Sequence, residues 1–125
     1  MEKFRKIHLS ENILKVLEEM HFKEPSEIQE KTIPLVLQGR DVLGSSATGS
    51  GKTLAFGAGI IQNIKKGEGI QALILTPTRE LAEQVSQSLK RFSKHYSLSI
   101  TEVYGGVSIN PQIGALRGAN IVVGT

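Results

Sequence analysis

The chain has 125 residues, with 15 Lys+Arg against 12 Asp+Glu, 13 glycines and no cysteine. This length suits one domain, and the lack of cysteine excludes a disulfide framework, a cysteine-based zinc site and a thiol nucleophile. The longest apolar stretches are far shorter than the ~20 residues that a membrane-spanning helix needs. We therefore expect a cytoplasmic protein with no membrane partner, and the net charge of +3 permits a polyanionic partner.

The first 39 residues predict two helices. Ser10 is a good N-cap residue and precedes an apolar stripe at helical spacing, formed by Ile13, Leu14, Leu17 and Met20. A second helix is expected from Ser26 to Gly39, with its inward side formed by Ile28, Ile33 and Val36. Pro34 lies inside this pattern and is expected to break or kink the helix.

Strands then alternate with helices. The expected order is strand 41–45, helix 52–66, strand 71–76, helix 79–95, strand 99–104, a helix opened by Asn110-Pro111 and ended by Gly118, and strand 121–123. Residues 71–76 form a near-continuous apolar run, typical of a strand buried on both faces. This alternation predicts an α/β fold with a mostly parallel sheet of about four strands. Because the sequence stops directly after a buried strand, we expect an incomplete domain.

Residues 46–53, Ser-Ala-Thr-Gly-Ser-Gly-Lys-Thr, lie between the first strand and its helix and predict a phosphate-binding loop. Glycines let backbone N–H groups approach phosphate oxygens, and the helix that begins at Lys52 adds its positive end. Lys52 is expected to reach the β- and γ-phosphates, and the Thr53 hydroxyl to bind Mg²⁺. The strict pattern has glycine at position 46, where this chain has Ser46. The alternative is a glycine-rich turn followed by a chance Lys-Thr pair.

Upstream, residues 22–29 read Phe-Lys-Glu-Pro-Ser-Glu-Ile-Gln. Taken locally, Ser26 and Gln29 form a capping box at the start of a helix. Together with the phosphate loop, the segment resembles the Q motif of DEAD-box ATP-dependent RNA helicases. The resemblance implies that Phe22 stacks on adenine, that Gln29 recognises the adenine edge, and that Ser26 braces the phosphate loop. Phe4 matches the isolated upstream aromatic of that motif, and a plain hydrophobic anchor is the alternative for it.

The resemblance extends to the side of the domain that binds nucleic acid. Residues 77–82, Pro-Thr-Arg-Glu-Leu-Ala, match motif Ia of the family, and Gly105-Gly106 resembles its Gly-Gly motif. Thr125 would be the first residue of its Thr-Pro-Gly-Arg motif. The RNA-binding residues implied are Pro77, Thr78, Arg79, Gly105, Gly106 and Thr125. Each of the first two segments also has a simpler explanation. Residues 77–82 would be a capped helix with a solvated arginine, and Gly105-Gly106 an ordinary glycine turn.

The family resemblance covers essentially the whole chain and implies an incomplete three-layer RecA-like fold. Residues 1–39 would form the helical segment of the Q motif and residues 40–125 the P-loop core. The implied cofactors are ATP and Mg²⁺, with Ser46, Thr48, Gly49, Ser50, Gly51, Lys52 and Thr53 at the phosphates and Lys52 and Thr53 acting in catalysis. The implied partners are RNA, bound through its backbone, and a second RecA-like domain that this chain lacks.

The enzyme implied for the longer protein is an RNA-dependent ATPase and helicase. Hydrolysis needs an acidic residue at a strand end, and the predicted apolar strands here lead into Thr76 and Gly124 instead. We therefore expect this chain alone not to hydrolyse ATP. The alternative is a free-standing, non-catalytic module that binds adenine nucleotide or RNA. A small P-loop kinase or GTPase is a weaker alternative, because no base-specific element follows the phosphate loop.

Overall fold

A computed structural model describes residues 1–125 and contains six helices and three strands. The helices are α1 (Glu2–Lys6), α2 (Glu11–Glu19), α3 (Glu27–Leu37), α4 (Lys52–Asn63), α5 (Arg79–Phe92) and α6 (Ile109–Leu116). The strands are β1 (Ala72–Leu75), β2 (Ile100–Val103) and β3 (Ile121–Gly124). None of the helices combines the length and apolar character needed to cross a bilayer.

The chain divides into two units. The N-terminal unit comprises Met1–Asn63 and Arg91–Tyr96, and the sheet unit comprises Ile64–Lys90 and Ser97–Thr125. The predicted division at residue 39 stays a prediction.

Helix α2 of the N-terminal unit follows the sequence pattern closely. The Ser10 hydroxyl accepts a hydrogen bond from the Ile13 N–H at 3.3 Å, which confirms the predicted N-cap. Three of the four residues of the apolar stripe are buried, namely Ile13, Leu14 and Leu17. The short helix α1, which was not predicted separately, contributes the fully buried Phe4 to the same unit.

Helix α3 runs without a break through Pro34 to Leu37, so the expected break is wrong. Proline removes one N–H donor, and the next turn is still closed by the Gln38 N–H, which donates to the Pro34 carbonyl at 3.2 Å.

Helix α4 packs closely on α3 at Gly59, where an added methyl group would lie 2.5 Å from Cγ1 of Val36. This close packing compensates for the low helix propensity of glycine, which is about 1 kcal/mol worse than alanine. Helix α4 ends at Asn63, three residues before the expected end.

The predicted strand at 41–45 is absent. These residues have no regular structure, and the Leu43 side chain is fully exposed, with a relative accessibility of 102%. The sheet contains only three strands, and none of them pairs with this segment. Because a strand depends on hydrogen bonds to a neighbouring strand, an apolar sequence alone does not create one.

The sheet unit contains a parallel sheet in the order β1-β3-β2, which confirms the α/β class and the parallel direction. Strand β3 is central and buried at all four positions. Strand β1 is buried less than expected, since Leu73 and Leu75 are 65% and 71% exposed. Its apolar run therefore does not indicate burial on both faces in this structure.

Helix α6 begins at Ile109, two residues before Pro111, the expected first helical residue, so the expected N-cap at Asn110 is wrong. Ser108 is the N-cap, although its side chain makes no capping hydrogen bond, and Asn110 and Pro111 lie in the first turn. Proline fits there because the first N–H groups of a helix have no intrahelical acceptor.

Candidate functional site

The glycine-rich segment 46–51 forms a turn that leads directly into α4. The Ser50 N–H donates to the Ala47 carbonyl at 3.2 Å, and the hydroxyls of Ser46 and Ser50 are 2.6 Å apart. The Gly51 carbonyl accepts the Ala55 N–H at 3.2 Å and so begins the helical hydrogen bonding. The loop therefore ends at a helix N-terminus, where free N–H groups and the helix dipole favour an anion.

The candidate phosphate ligands around this turn are accessible. Thr48, Gly49 and Lys52 are exposed, and Thr53 is half-buried in the first turn of α4. The Lys52 ammonium has no carboxylate partner in the structure. The cation that the sequence assigns to phosphate binding is therefore available to a ligand.

Ser26 and Gln29 hold the glycine-rich segment in place. The Ser26 hydroxyl donates to the Ser50 carbonyl at 2.7 Å, and Nε2 of Gln29 donates to the Gly51 carbonyl at 3.2 Å. The same two residues form the capping box of α3, in which Oε1 of Gln29 accepts the Ser26 N–H at 3.0 Å. Gln29 is only 3% exposed. Helix capping and bracing of the loop are thus two functions of one pair of side chains.

A cleft of about 350 Å³ opens beside this pair. Its lining is rich in hydroxyl groups and consists of Ser26, Glu27, Ile28, Lys31, Ser45, Ser46 and Ser50. Lys31 pairs with Glu27 at 2.7 Å, and this hydrogen-bonded pair raises the pKa of Lys31 and lowers that of Glu27. Lys31 was not among the predicted site residues, although its spacing of four residues from Glu27 indicates a helical ion pair.

Aromatic side chains of the N-terminal unit form a row in which Phe22 is the middle member. The centroid of its ring is 6.3 Å from those of both Phe4 and Phe92. Phe4 is completely buried, which favours the hydrophobic anchor over a direct contact with nucleotide. Phe22 is half-buried and keeps an accessible portion. Phe92 was not predicted to join this row, because 70 positions separate it from Phe22 in the sequence.

The residues expected to bind RNA follow the three strands of the sheet unit. Pro77, Thr78 and Arg79 come after β1, Gly105 and Gly106 after β2, and Thr125 after β3, and all six are exposed. Since the carboxyl ends of parallel strands meet at one edge, the sheet brings the three segments to the same side. Two hydrogen bonds hold this edge together: the Thr76 N–H donates to the Gly124 carbonyl at 2.8 Å, and the Thr125 N–H to the Val103 carbonyl at 3.2 Å.

Thr78 and Arg79 define the start of α5. The Thr78 hydroxyl accepts the Leu81 N–H at 3.2 Å and caps the helix. The Arg79 guanidinium lies over the Tyr104 ring, with its central carbon 4.3 Å from the ring centroid, and Nε contacts the Glu83 carboxylate at 3.3 Å. The hydrogen bond to Glu83, followed by the interaction with Tyr104, raises the pKa of Arg79. Tyr104 was missed in the sequence, where it reads as the last residue of a strand.

Comparisons with known proteins agree with this geometry. The model of the DEAD/DEAH box helicase family matches residues 26–125. A DEAD-box ATP-dependent RNA helicase, CshA of Streptococcus pneumoniae, is 50% identical over 98% of this chain, which spans 24% of that protein. This chain therefore corresponds to about a quarter of the length of that relative.

Solved structures give the same assignment. A DEAD box protein from the hyperthermophile Methanococcus jannaschii superposes with a TM-score of 0.94 at 44% identity, over 98% of this chain and 34% of that one. S. cerevisiae Dbp5 bound to RNA and ADP BeF3 superposes with a TM-score of 0.87 at 30% identity, over 100% of this chain and 32% of that one. The α/β fold is thus RecA-like, as expected. The chain belongs to the DEAD/DEAH box helicase family.

Proposed function

We propose that this chain is the nucleotide-binding portion of the first motor domain of an RNA-dependent ATPase, and that it binds ATP or ADP with Mg²⁺ together with the RNA backbone. The observation that carries the proposal is the bracing of the glycine-rich segment by Ser26 and Gln29 next to the unpaired Lys52. These contacts fix the loop before any ligand arrives. A fixed loop loses little conformational entropy on binding, which favours affinity.

The residues around the loop suit a magnesium nucleotide. Lys52 supplies charge for the β- and γ-phosphates, and the Thr53 hydroxyl supplies one oxygen ligand for the metal. No group of three His, Cys, Asp or Glu side chains in the structure could hold a metal by itself. This set still fits Mg²⁺, which is commonly bound through one or two protein ligands, substrate phosphates and water.

Gln29 can brace the loop and recognise adenine at the same time. Its amide has two N–H donors and two acceptor lone pairs, of which the structure uses one donor for Gly51 and one acceptor for Ser26. One donor and one acceptor therefore remain, which is the pair that the N7 and N6–H₂ of adenine require. Guanine offers N7 and O6, two acceptors, and does not match this pair.

RNA binding is assigned to the exposed residues at the carboxyl edge of the sheet. Arg79 supplies positive charge, the α5 N-terminus supplies N–H groups, and the exposed glycines 105 and 106 allow a sugar-phosphate chain to approach. These groups contact backbone and not base edges, so we expect binding without sequence preference. The similarity to Dbp5, a protein solved with RNA bound, supports this assignment.

The activity proposed for the full-length gene product is RNA-stimulated ATP hydrolysis with duplex unwinding, carried out together with a second RecA-like domain. No strand of this chain ends in the acidic residue that would bind Mg²⁺ and orient the attacking water. The chain by itself is therefore expected to bind nucleotide and not to hydrolyse it. The alternative is a non-catalytic module, which would bind the same ligands without any turnover in the full-length gene product.

The nucleotide proposal is tested by thermal unfolding with Mg²⁺ and either ADP or GDP. A ligand that binds only the folded state stabilises it by about 2.7 kcal/mol at a hundredfold excess over Kd. We expect ADP to raise the midpoint and GDP to leave it unchanged. Lys52→Ala should remove most of the ADP effect, whereas Lys15→Ala, at an exposed lysine of α2, should retain it. Equal shifts with ADP and GDP would contradict adenine recognition by Gln29.

The catalytic part is tested separately on the full-length gene product. RNA should increase its rate of ATP hydrolysis, and Lys52→Ala should abolish that rate. Binding of both ligands with no turnover would instead establish the non-catalytic module.

A further inference from the structure

The loop that contains Gly105 and Gly106 is held at both ends by one side chain. Oε1 of Gln112 accepts the Tyr104 N–H at 2.9 Å, and its Nε2 donates to the Ser108 carbonyl at 3.0 Å. Gly105 and Gly106 themselves make no close packing contact, because no atom beyond their chain neighbours lies within 4 Å of where a side chain would begin. Gln112 therefore fixes the position from which the Tyr104 ring projects.

Tyr104 in turn holds the arginine at the start of α5. The ring lies 4.3 Å from the central guanidinium carbon of Arg79, and the Glu83 carboxylate restrains Nε of the same group. A stacked guanidinium uses its face for the ring, while its N–H groups lie in its plane and stay directed at oxygen acceptors. An exposed arginine without such a support would lose side-chain entropy of about 2 kcal/mol when it binds a ligand.

We infer that Tyr104 is a positioning residue that orients Arg79 for a phosphate of the RNA backbone. This inference rests on the proposed RNA-binding function and adds to it a link between two separate segments. The ring joins the start of α5 to the glycine loop after β2, and Gln112 locks that loop. Arg79 and the two glycines then present one preformed surface to a single sugar-phosphate chain.

The salt dependence of RNA binding separates positioning from other roles. Each phosphate contact to single-stranded nucleic acid contributes about 0.7 to the slope of log affinity against log salt. Arg79→Ala should make this negative slope shallower by about that amount, since it removes one contact. Tyr104 carries no charge, so Tyr104→Leu can lower the slope only by releasing Arg79. A purely structural role of the ring would leave the slope unchanged.

The experiment measures anisotropy of a labelled oligouridylate of about ten nucleotides with the full-length gene product, between about 50 and 200 mM NaCl. Arg79→Ala should weaken binding about tenfold, as expected for a charged hydrogen bond. Tyr104→Leu should weaken it about two- to fivefold, the range of an exposed cation–π contact, and reduce the slope. Tyr104→Phe keeps the aromatic face and should bind like the wild type. ADP affinity, measured on the same samples, should not change in any of these variants.

A double variant completes the test. If the ring acts through the arginine, Arg79→Ala with Tyr104→Leu should bind no more weakly than Arg79→Ala alone. Multiplied losses, or an unchanged slope in Tyr104→Leu, would overturn the inference while leaving RNA binding intact. A wild-type protein that binds no RNA would overturn the proposed RNA-binding function, and the inference with it.

Discussion

Gly51 occupies a position of the glycine-rich segment where a side chain has no room. Its φ is +85°, and an added Cβ would overlap the amide nitrogen of Gln29. Gly49 has nearly the same φ, +83°, but has no atom within 4 Å of that position. The two glycines therefore share the backbone strain that alanine would suffer and differ only in the overlap.

We expect Gly51→Ala to destabilise the chain by about 1–3 kcal/mol more than Gly49→Ala, because the alanine methyl displaces the Gln29 amide from its hydrogen bonds. Both variants pay the left-handed backbone strain of roughly 1–2 kcal/mol. Urea unfolding of the two variants measures the difference. Equal losses would show that Gln29 moves aside freely and does not brace the loop.

Ser86 is a buried polar residue of α5 whose hydroxyl has no hydrogen-bond partner. An unsatisfied buried hydroxyl costs about 1–3 kcal/mol of desolvation, so Ser86→Ala should raise the free energy of unfolding by at least about 1 kcal/mol. Alanine also has the higher helix propensity, which contributes roughly half a kcal/mol. Ser88→Ala, at a half-buried position two residues further along the helix, measures that propensity alone. A gain no larger than that of Ser88→Ala would contradict the burial argument.

At the scale of elements, the contact between α3 and α4 depends on Gly59. A methyl group there would lie 2.5 Å from Cγ1 of Val36 and 3.3 Å from the backbone nitrogen of Leu37. Gly59→Ala should therefore cost about 1–3 kcal/mol through overpacking, although alanine favours the helix. Gly114→Ala in α6 has open space around it and should stabilise by up to about 1 kcal/mol. Chemical denaturation of both variants tests whether the two changes have opposite signs.

The elements that sequence predicted well are those specified by neighbouring residues. The Ser10 cap and the capping box of Ser26 and Gln29 depend only on residues within one helical turn, and both are present. The prediction of a strand at 41–45 is wrong because a strand depends on a distant partner that a local apolar pattern does not reveal. The expected break at Pro34 is wrong for a related reason, since close packing of α3 on α4 outweighs the local preference of proline.

The same distinction applies to the candidate site. The glycine-rich segment and the start of α5 were recognised from consecutive residues. The cation–π contact between Arg79 and Tyr104 was not, because it joins residues that follow two different strands. Nor did the sequence show that Gln29 contacts the carbonyl of Gly51, 22 residues away. Contacts of this kind depend on the sheet register and on helix packing, neither of which a residue pattern encodes directly.

At the scale of the whole molecule, the two candidate binding regions belong to different units. The proposed nucleotide ligands lie in the N-terminal unit, and the proposed RNA ligands lie in the sheet unit. Variants of Lys52 and of Arg79 are therefore suited to separate the two affinities in one protein.

The exposed face of β1 predicts how the whole chain behaves in solution. Leu73 and Leu75 are 65% and 71% exposed and point to the same side of the strand, since side chains alternate along it. Strand β1 pairs only with β3, so its other edge keeps unpaired N–H and C=O groups. An exposed strand edge beside apolar side chains favours pairing with another copy.

We therefore expect concentration-dependent self-association of the 125-residue chain, measured by sedimentation velocity. Leu73→Thr with Leu75→Thr should shift the chain to monomer, because threonine keeps the strand propensity and removes most of the exposed apolar area. Ile109→Thr removes an equally exposed apolar side chain from α6, outside the strand edge, and should leave the association unchanged. If Ile109→Thr abolished the association and the double leucine variant retained it, the contact would be assigned to α6. A wild-type chain that stays monomeric would contradict the prediction altogether.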